Sequence, residues 1–437
     1  MGTMMKARSK KMLGAAVAAL LTVSGCASGE DESGTEGGKV TLDFWGWAPG
    51  YEKAVDQFNK THPDIKVDFQ KTASGSKGGY TKMLTAAKAG NAPCLAMVGY
   101  ETMPSFVAAG ALEDITEAAA PHKGKFADWT WNQVTVGGKT YGAPVDTAPM
   151  ALFYRKDLFA KYGIKKPPAT WDEYRGAAEK VHKADPDVYL GTFGTDAYNY
   201  AGLAWQAGAK WFDTTSDSWK VSLHSAANTK VADYWQGLLD DKLLKPEPSF
   251  DPSLYKNMTS GKILSDVNAV WNAPILASSA KSTSGKWAVA PMPVWDADKP
   301  AYGNDGGSAT AVMKGCEHPR QATEFAMWMS TNKDSLSTLI KDTGIYPAAT
   351  AGQNHPVLSQ PDPFYGGQKI YDVFKKESAQ IDTSWKWGPT MTQTATDITD
   401  GLGRAGKDGV TLPDMLATVQ KKTADEMKQQ GMTVSTH

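Results

Sequence analysis

The chain has 437 residues with 46 basic and 47 acidic side chains, and a formal charge of −1 leaves no basic surface for a nucleic acid to bind. That length, with 41% apolar and 10% aromatic residues, suits two domains or one large one with a full core. The 7 histidines are scattered without an i, i+4 pair or an HExxH string, which excludes the common zinc motifs.

Reading from the N-terminus, Lys6, Arg8, Lys10 and Lys11 precede an apolar run from Met12 to Val23, too short at helical rise to span a bilayer permanently. This is the build of a removable signal segment, residues 1–25. Ser24 and Gly25 directly before Cys26 resemble the bacterial lipoprotein box, in which the thiol receives a diacylglyceryl group and becomes the new N-terminus; the alternative is an ordinary secretory signal. Loss of the four basic residues takes the formal charge to −5. Residues 26–38, acidic and rich in Gly and Ser, read as a flexible tether. No later stretch approaches the length of a membrane span, so the lipid is the only membrane contact expected.

Val40 to Trp45 reads as a first strand, and Pro49 opens a helix with Tyr51, Val55 and Phe58 on its apolar face, stopping before His62-Pro63. Ile65, Val67 and Phe69 alternate as a second strand, a helix runs from about Tyr80 to Gly90, and Cys94 to Val98 is a third strand. Strand, helix, strand, helix implies a parallel α/β sheet. Val134 to Pro144 reads as a hairpin turning at Gly137-Gly138, followed by the strand Met150 to Tyr154 and a change of sheet. Thr170 and Glu173 form a capping box, and Val231, Tyr234, Trp235 and Leu238 mark another helix, both in a second α/β unit. Tyr189 to Phe193 and Asp266 to Val270 are further strands. Helices Pro319 to Met329 and Leu412 to Met427 complete the chain, the last fading into a polar tail. Cys94 and Cys316 either pair or remain two buried thiols, and an exported location favours the pair.

Several catalytic patterns fail on inspection. Gly138-Lys139-Thr140 ends like a phosphate loop whose first glycine would fall at Gln133, Ser76 misses the serine-hydrolase elbow by one residue, and Asp296 and Asp298 share calcium-loop spacing for two residues only. Asp43, Glu101, Asp146, Asp196 and Asp266 stand at strand ends where a glycosidase could place its acid pair, yet the same carboxylates could simply accept hydrogen bonds from sugar hydroxyls. The 15 tryptophans exceed what a core requires in a chain of mean hydropathy −0.40, and point to surfaces that grip a ligand with an apolar face and a polar rim.

Four segments together resemble the family 1 extracellular solute-binding proteins of ABC importers, in particular carbohydrate-binding members of actinobacterial type. They are VTLDFWGWAPGYEKAVDQFNKTHPDIKV (40–67), YGAPVDTAPMALFYRKDLFAKYGI (141–164) running into PPATWDEY (167–174), SGKILSDVNAVWNAPIL (260–276) and GNDGGSATAVMKGCEHPRQATEFAMWMSTN (303–332). The resemblance covers nearly the whole mature chain. It implies a two-lobe periplasmic-binding-protein-like α/β fold with several hinge crossovers and a central cleft, lobe I from 39–147 and 304–355 and lobe II from 148–303 and 356–437. It implies a monomer that is not an enzyme, uses no cofactor and no metal, and delivers an oligosaccharide to permease subunits at the extracellular face of the cytoplasmic membrane. A lipid-anchored glycoside hydrolase and an adhesion or scaffold lipoprotein are the competing readings. The cysteines at 94 and 316 are not part of the general family pattern.

A pyranose offers a weakly apolar C–H face and a rim of hydroxyls, so its site needs flat aromatic rings beside planar polar groups. Trp45 and Trp47 follow the first strand, Glu101 the third, and Asp146 stands at the crossover; Asp196, Tyr198 and Asn199 follow the strand ending at Phe193. Trp271, the foremost candidate, and Asn272 end the run Asp266 to Val270, where the family resemblance implies an aromatic platform. Trp387 is a further stacking candidate in Trp385-Lys386-Trp387-Gly388-Pro389, and Gly306 and Gly307 could let backbone approach the ligand. Trp171, Trp235 and Trp328 lie on helical stripes and are assigned to the core.

Overall fold

The computed structural model describes residues 39–215, 217–405 and 409–436; the signal segment, Cys26 and the tether lie outside the described residues. Strand Val40–Gly46 pairs in parallel with Ile65–Lys71, in register from Val40 opposite Ile65 to Gly46 opposite Lys71, and with Leu95–Gly99 on its other side. Strand Ser308–Val312 returns from far along the chain to pair antiparallel with Leu95–Gly99, and Gly142–Pro144 closes the sheet. The sheet is therefore parallel where the chain is local and antiparallel where it comes back.

Helix Tyr51–Thr61 buries Tyr51, Ala54, Val55 and Phe58, the stripe that its periodicity predicts, and packs the Phe58 ring 5.0 Å from Phe325 of helix Pro319–Thr331. Cys94 and Cys316 form a disulfide, Cα to Cα 4.6 Å, at the edge of this layer. The hairpin is present as Thr135–Val136 against Lys139–Thr140, with Gly137 and Gly138 both at positive φ as a tight turn requires.

A second sheet is centred on Met150–Arg155, antiparallel to Ser265–Ala269 and Trp287–Pro291. The parallel pair Gly191–Gly194 and Leu244–Glu247 joins its edge through the Tyr189 and Ile263 bridge. Helix Trp171–Ala184 covers this layer, its start fixed by Thr170, whose hydroxyl accepts from the Glu173 amide at 3.2 Å, while Glu173 reaches back to the Ala169 amide at 2.7 Å. Helix Leu412–Gln429 does not end in a free tail: Val434–Thr436 adds in parallel to Trp219–Val221, a short pairing that the polar composition concealed.

The chain passes between the two sheets more than once. Asp146–Thr147 leads from the first sheet to Met150–Arg155 of the second, Pro149 bridges to Asn304, and Tyr346–Pro347 pairs back on Asp146–Thr147. Asp146 holds the crossing by accepting from both the amide and the hydroxyl of Ser308, at 2.8 and 2.7 Å. Among the described residues no helix is long and apolar enough to cross a membrane.

Candidate functional site

At the crossings, the ends of Gly191–Gly194 and Ser265–Ala269, helix starts Asp196 and Trp271, and the strap Asn304–Gly307 surround a small cavity. It has about 30 Å³ of free space, room for one or two waters. Trp271 and Phe250 supply aromatic walls, their ring centroids 5.6 Å apart and tilted by 32°. Trp271 is held by its indole N–H, which donates to the Asp305 carbonyl at 2.8 Å. Asp266, Asn268, Asn272, Asp196, Asn199 and Asp305 supply the polar lining.

These polar groups are bonded mainly to one another. Asn268 and Asn272 donate to the same oxygen of Asp266 at 3.0 and 3.2 Å, and Asn199 donates to Asp305 at 3.1 Å. Asp196 caps helix Ala197–Gln206, accepting from the amides of Tyr198 at 2.8 Å and Asn199 at 3.4 Å. Among the described residues no Lys, Arg or His lines this cavity. Burial accordingly pushes Asp266 up to about 6 against the two amide bonds, and pushes Asp305 well above the usual carboxylate range, helped by the charge of Asp196. Asp196 is raised by burial too, with Lys77 and its two amide bonds pulling the other way.

A second cavity of about 180 Å³ adjoins the first and shares Asp196, Ser249 and Phe250 with it. Tyr80 lies in its wall, donates its hydroxyl to Glu101 at 2.5 Å and accepts from the Gly99 amide at 3.1 Å. Glu101 is 5% exposed, and burial raises it to about 7 against the Tyr80 bond.

The structure brings together part of the sequence-derived set. Asp196, Asn199, Trp271 and Asn272 line the inner cavity, and Asp196 and Tyr198 the outer one. The others line neither cavity. Trp45 has one ring face covered by the Lys82 ammonium at 4.2 Å, and Trp47 meets Tyr80 edge-on at 5.5 Å. Glu101 sits beneath Tyr80. Asp146, raised by burial to about 6, is committed to Ser308 and the crossover.

Gly306 and Gly307 lie in the strap. Both have positive φ, and a Cβ on Gly307 would come within 2.7 Å of the Tyr100 ring. Trp387 is buried among Trp205, Trp211 and Trp385, with ring centroids 5.2 to 6.4 Å away. More than half of the 15 tryptophans are buried in the core. Trp235 is one of them: 2% exposed, it borders the inner cavity, and its indole N–H has no partner.

Sequence reasoning passed over Asp305, Asn268, Phe250 and Tyr255, and weighed Asp266 only within a group of carboxylates that could serve a hydrolase or accept from sugar hydroxyls. Asp305 was signalled by the polar run Gly303-Asn304-Asp305-Gly306-Gly307 directly before a buried strand. Phe250 carries no local signal: its place depends on a backbone turn with φ of 63°, rare for a side chain of this kind.

Residues 46–335 match the model of the bacterial extracellular solute-binding protein family. The fold is similar to that of the galacto-N-biose/lacto-N-biose I-binding protein of an ABC transporter from Bifidobacterium longum. The TM-score is 0.84 and the identity 32%, over 92% of this chain and 100% of that one. An ABC transporter associated binding protein from B. animalis subsp. lactis, solved with β-1,6-galactobiose, gives 0.83 and 29%, over 91% and 100%. The arabinooligosaccharide-binding protein of Bacillus subtilis is 25% identical over 339 residues, 75% of this chain and 77% of that protein. These are two-domain binding proteins, and their kinship makes this chain a receptor rather than a hydrolase. With its two sheets joined by repeated crossings and a polar, aromatic-walled cavity at the junction, the chain belongs to the bacterial extracellular solute-binding proteins.

Proposed function

We propose that the protein is a lipid-anchored receptor that captures a di- or oligosaccharide between two lobes and passes it to the permease of an ABC importer. The observation that carries this reading is the inner cavity. An indole face at Trp271 stands beside Asp266, Asn272 and Asp305, a flat apolar surface next to planar hydrogen-bonding groups, which is what a sugar ring demands. The relatives that bind lacto-N-biose, β-1,6-galactobiose and arabinooligosaccharides support a carbohydrate ligand.

Residues 39–147 with 304–355, and 148–303 with 356–437, are the two lobes of this reading. The crossings at 147–150 and near Asn304 and Tyr346 are its hinges. A cavity of about 30 Å³ is far below the roughly 300 Å³ of an ordinary ligand pocket, so a sugar ring enters only when the lobes part. Ligand then favours closure because it contacts both lobes only in the closed form. The receptor works as a monomer, held at the outer face of the cytoplasmic membrane by lipid on Cys26 with residues 26–38 as the tether.

Calorimetry across a panel of galacto-, arabino- and chitin oligosaccharides tests this, with chromatography of the sugar afterwards. Micromolar binding and an intact ligand are the expected results. Absence of binding throughout the panel, or release of monosaccharide, would overturn the reading.

A further inference from the structure

The outer cavity draws its lining from both proposed lobes, Lys77 and Tyr80 from one, Asp196 and Tyr198 from the other. Beneath Tyr80, the Glu101 carboxyl lies folded over Gly99, where a Cβ would overlap both of its oxygens, so the seat exists because residue 99 carries no side chain. One oxygen accepts from the Tyr80 hydroxyl at 2.5 Å, and the other is buried without a partner. An ionised carboxylate offers acceptor sites on both oxygens, and leaving one of them bare in a dry seat favours the protonated acid.

The ionisable groups that face Glu101 are Tyr80 and Tyr100 beside it, Asp146 at the crossover, Asp305 on the strap, and Asp196 and Tyr198 from the second lobe. All six are acids, so none of them supplies a counter-charge. Lys77 in the same lining helps Asp196 to stay ionised, which adds to the charge set against Glu101. Burial, working against the Tyr80 bond and joined by the charges of Asp196 and Asp146, raises Glu101 to about 7. Parting the lobes would let water into the seat and carry Asp196 and Tyr198 away from it, and the carboxyl would return towards its ordinary 4.5.

We propose that Glu101 is a proton latch on the cleft: closing the lobes places a proton on it, so the receptor grips sugar at acidic pH and loosens its hold as the pH rises. The closed form then binds more protons than the open one. The contribution of Glu101 to closure is complete below about 4.5, its open-state value, and disappears as the pH climbs through 7. Glu101 is a positioning residue in this scheme, acting through Tyr80, which lines the cavity and donates its hydroxyl to it. The latch rests on the two-lobe receptor reading.

The test is calorimetry of the full chain at pH 5.5 and pH 7.5, with the tightest-binding member of the galacto-, arabino- and chitin oligosaccharide panel as the probe. Repeating it at pH 6 in phosphate and in Bis-Tris, whose heats of ionisation differ, counts the protons taken up. The wild type should bind about tenfold more weakly at pH 7.5 than at pH 5.5 and take up about one proton per sugar at pH 6. In Glu101→Gln, which still accepts from Tyr80, the two affinities should agree within about twofold and the proton uptake should disappear; a thermal melt verifies the fold. Tyr80→Phe removes the donor that favours the charged form, so the fall in affinity should move to higher pH. A purely structural role for Glu101 would weaken binding equally at both pH values. That result, a wild-type slope unchanged in Glu101→Gln, or equal wild-type affinities at the two pH values would overturn the latch and leave the receptor standing. Binding by no member of the panel at either pH would overturn the carbohydrate reading itself, and the latch with it.

Discussion

The side-chain amide of Asn199 donates to the Asp305 carboxylate at 3.1 Å and to the Val267 carbonyl at 3.2 Å. One residue thereby ties the start of helix Ala197–Gln206 to a strand of its own sheet and to the strap that leads back to the other sheet. The strap in turn fixes Trp271 through the Asp305 carbonyl, so the aromatic platform and the polar rim are set by one short network.

Asn199→Leu retains the approximate volume and removes both bonds. Asp305, already raised by burial and by Asp196, loses the neighbour that favours its charged form. Affinity for the tightest sugar of the panel should fall about tenfold, about 1.4 kcal/mol. Calorimetry at pH 7 measures it, and an unchanged constant would detach Asn199 from the site.

Trp271→Ala removes the indole face and its bond to the strap together. The loss should be on the order of one or two kcal/mol in binding, read by calorimetry. Sugar-induced quenching of intrinsic fluorescence should shrink as well. The other tryptophans nearest the cleft are less free to respond, Trp45 lying under Lys82 and Trp235 within the core.

How much of this could be read beforehand depends on range. Helix Tyr51–Thr61, the Thr170 cap and the Gly137-Gly138 hairpin follow from neighbours a few residues apart, and each stands where periodicity and turn chemistry put it. The placing of Asp196 and of Trp271 after strands was equally local. What could not be read was which strand-end residues share a cavity, because that depends on pairings such as Ser308–Val312 on Leu95–Gly99 across most of the chain. Asp146 shows the difficulty: nothing in its own segment announces that Ser308, 162 residues away, donates to one of its carboxylate oxygens. Trp387 shows it again, since nothing in its own loop announces Trp205 and Trp211 as its neighbours.

Glu101 gives the protein a falling stability with rising pH in one window. Burial holds its carboxyl at about 7 against an ordinary 4.5, so between those values the folded chain keeps a proton that the unfolded chain has released. The favourable contribution is complete below about pH 4 and is lost as pH climbs through 7. Glu101→Gln still accepts from Tyr80 and cannot titrate. Urea midpoints at pH 4.5 and pH 7.5 should therefore differ less in the variant than in the wild type, by up to about 3 kcal/mol. Parallel profiles for the two proteins would show that Glu101 titrates normally.

The Cys94 and Cys316 disulfide closes a span of 222 residues at the start of strand Leu95–Gly99, the end away from Glu101 and the cavities. Loop closure of that size restricts the unfolded chain by about 5 kcal/mol, less any relaxation of the native state. Cys94→Ala with Cys316→Ala should lower the thermal midpoint by several degrees and leave sugar affinity within about twofold. A weakened sugar affinity at unchanged stability would reverse this assignment and make the bond part of the binding apparatus.

The proposed anchor is separable from the binding body in the same way. Residues 26–38 carry Glu30, Asp31, Glu32 and Glu36 among glycines and serines, the composition of the tether proposed between the lipid and the binding body. Two acyl chains on Cys26 would hold that body at the membrane, since a single chain binds membranes only marginally. Cys26→Ser in the full chain blocks the thioether and should release the protein into the medium with unchanged affinity in calorimetry. Cells carrying it should accumulate the labelled sugar more slowly, because a freed receptor no longer reaches the permease at the effective concentration a tether provides. If Cys26→Ser remained in the membrane fraction, retention would have to come from the apolar run Met12 to Val23, left uncleaved, and the lipid assignment would fall.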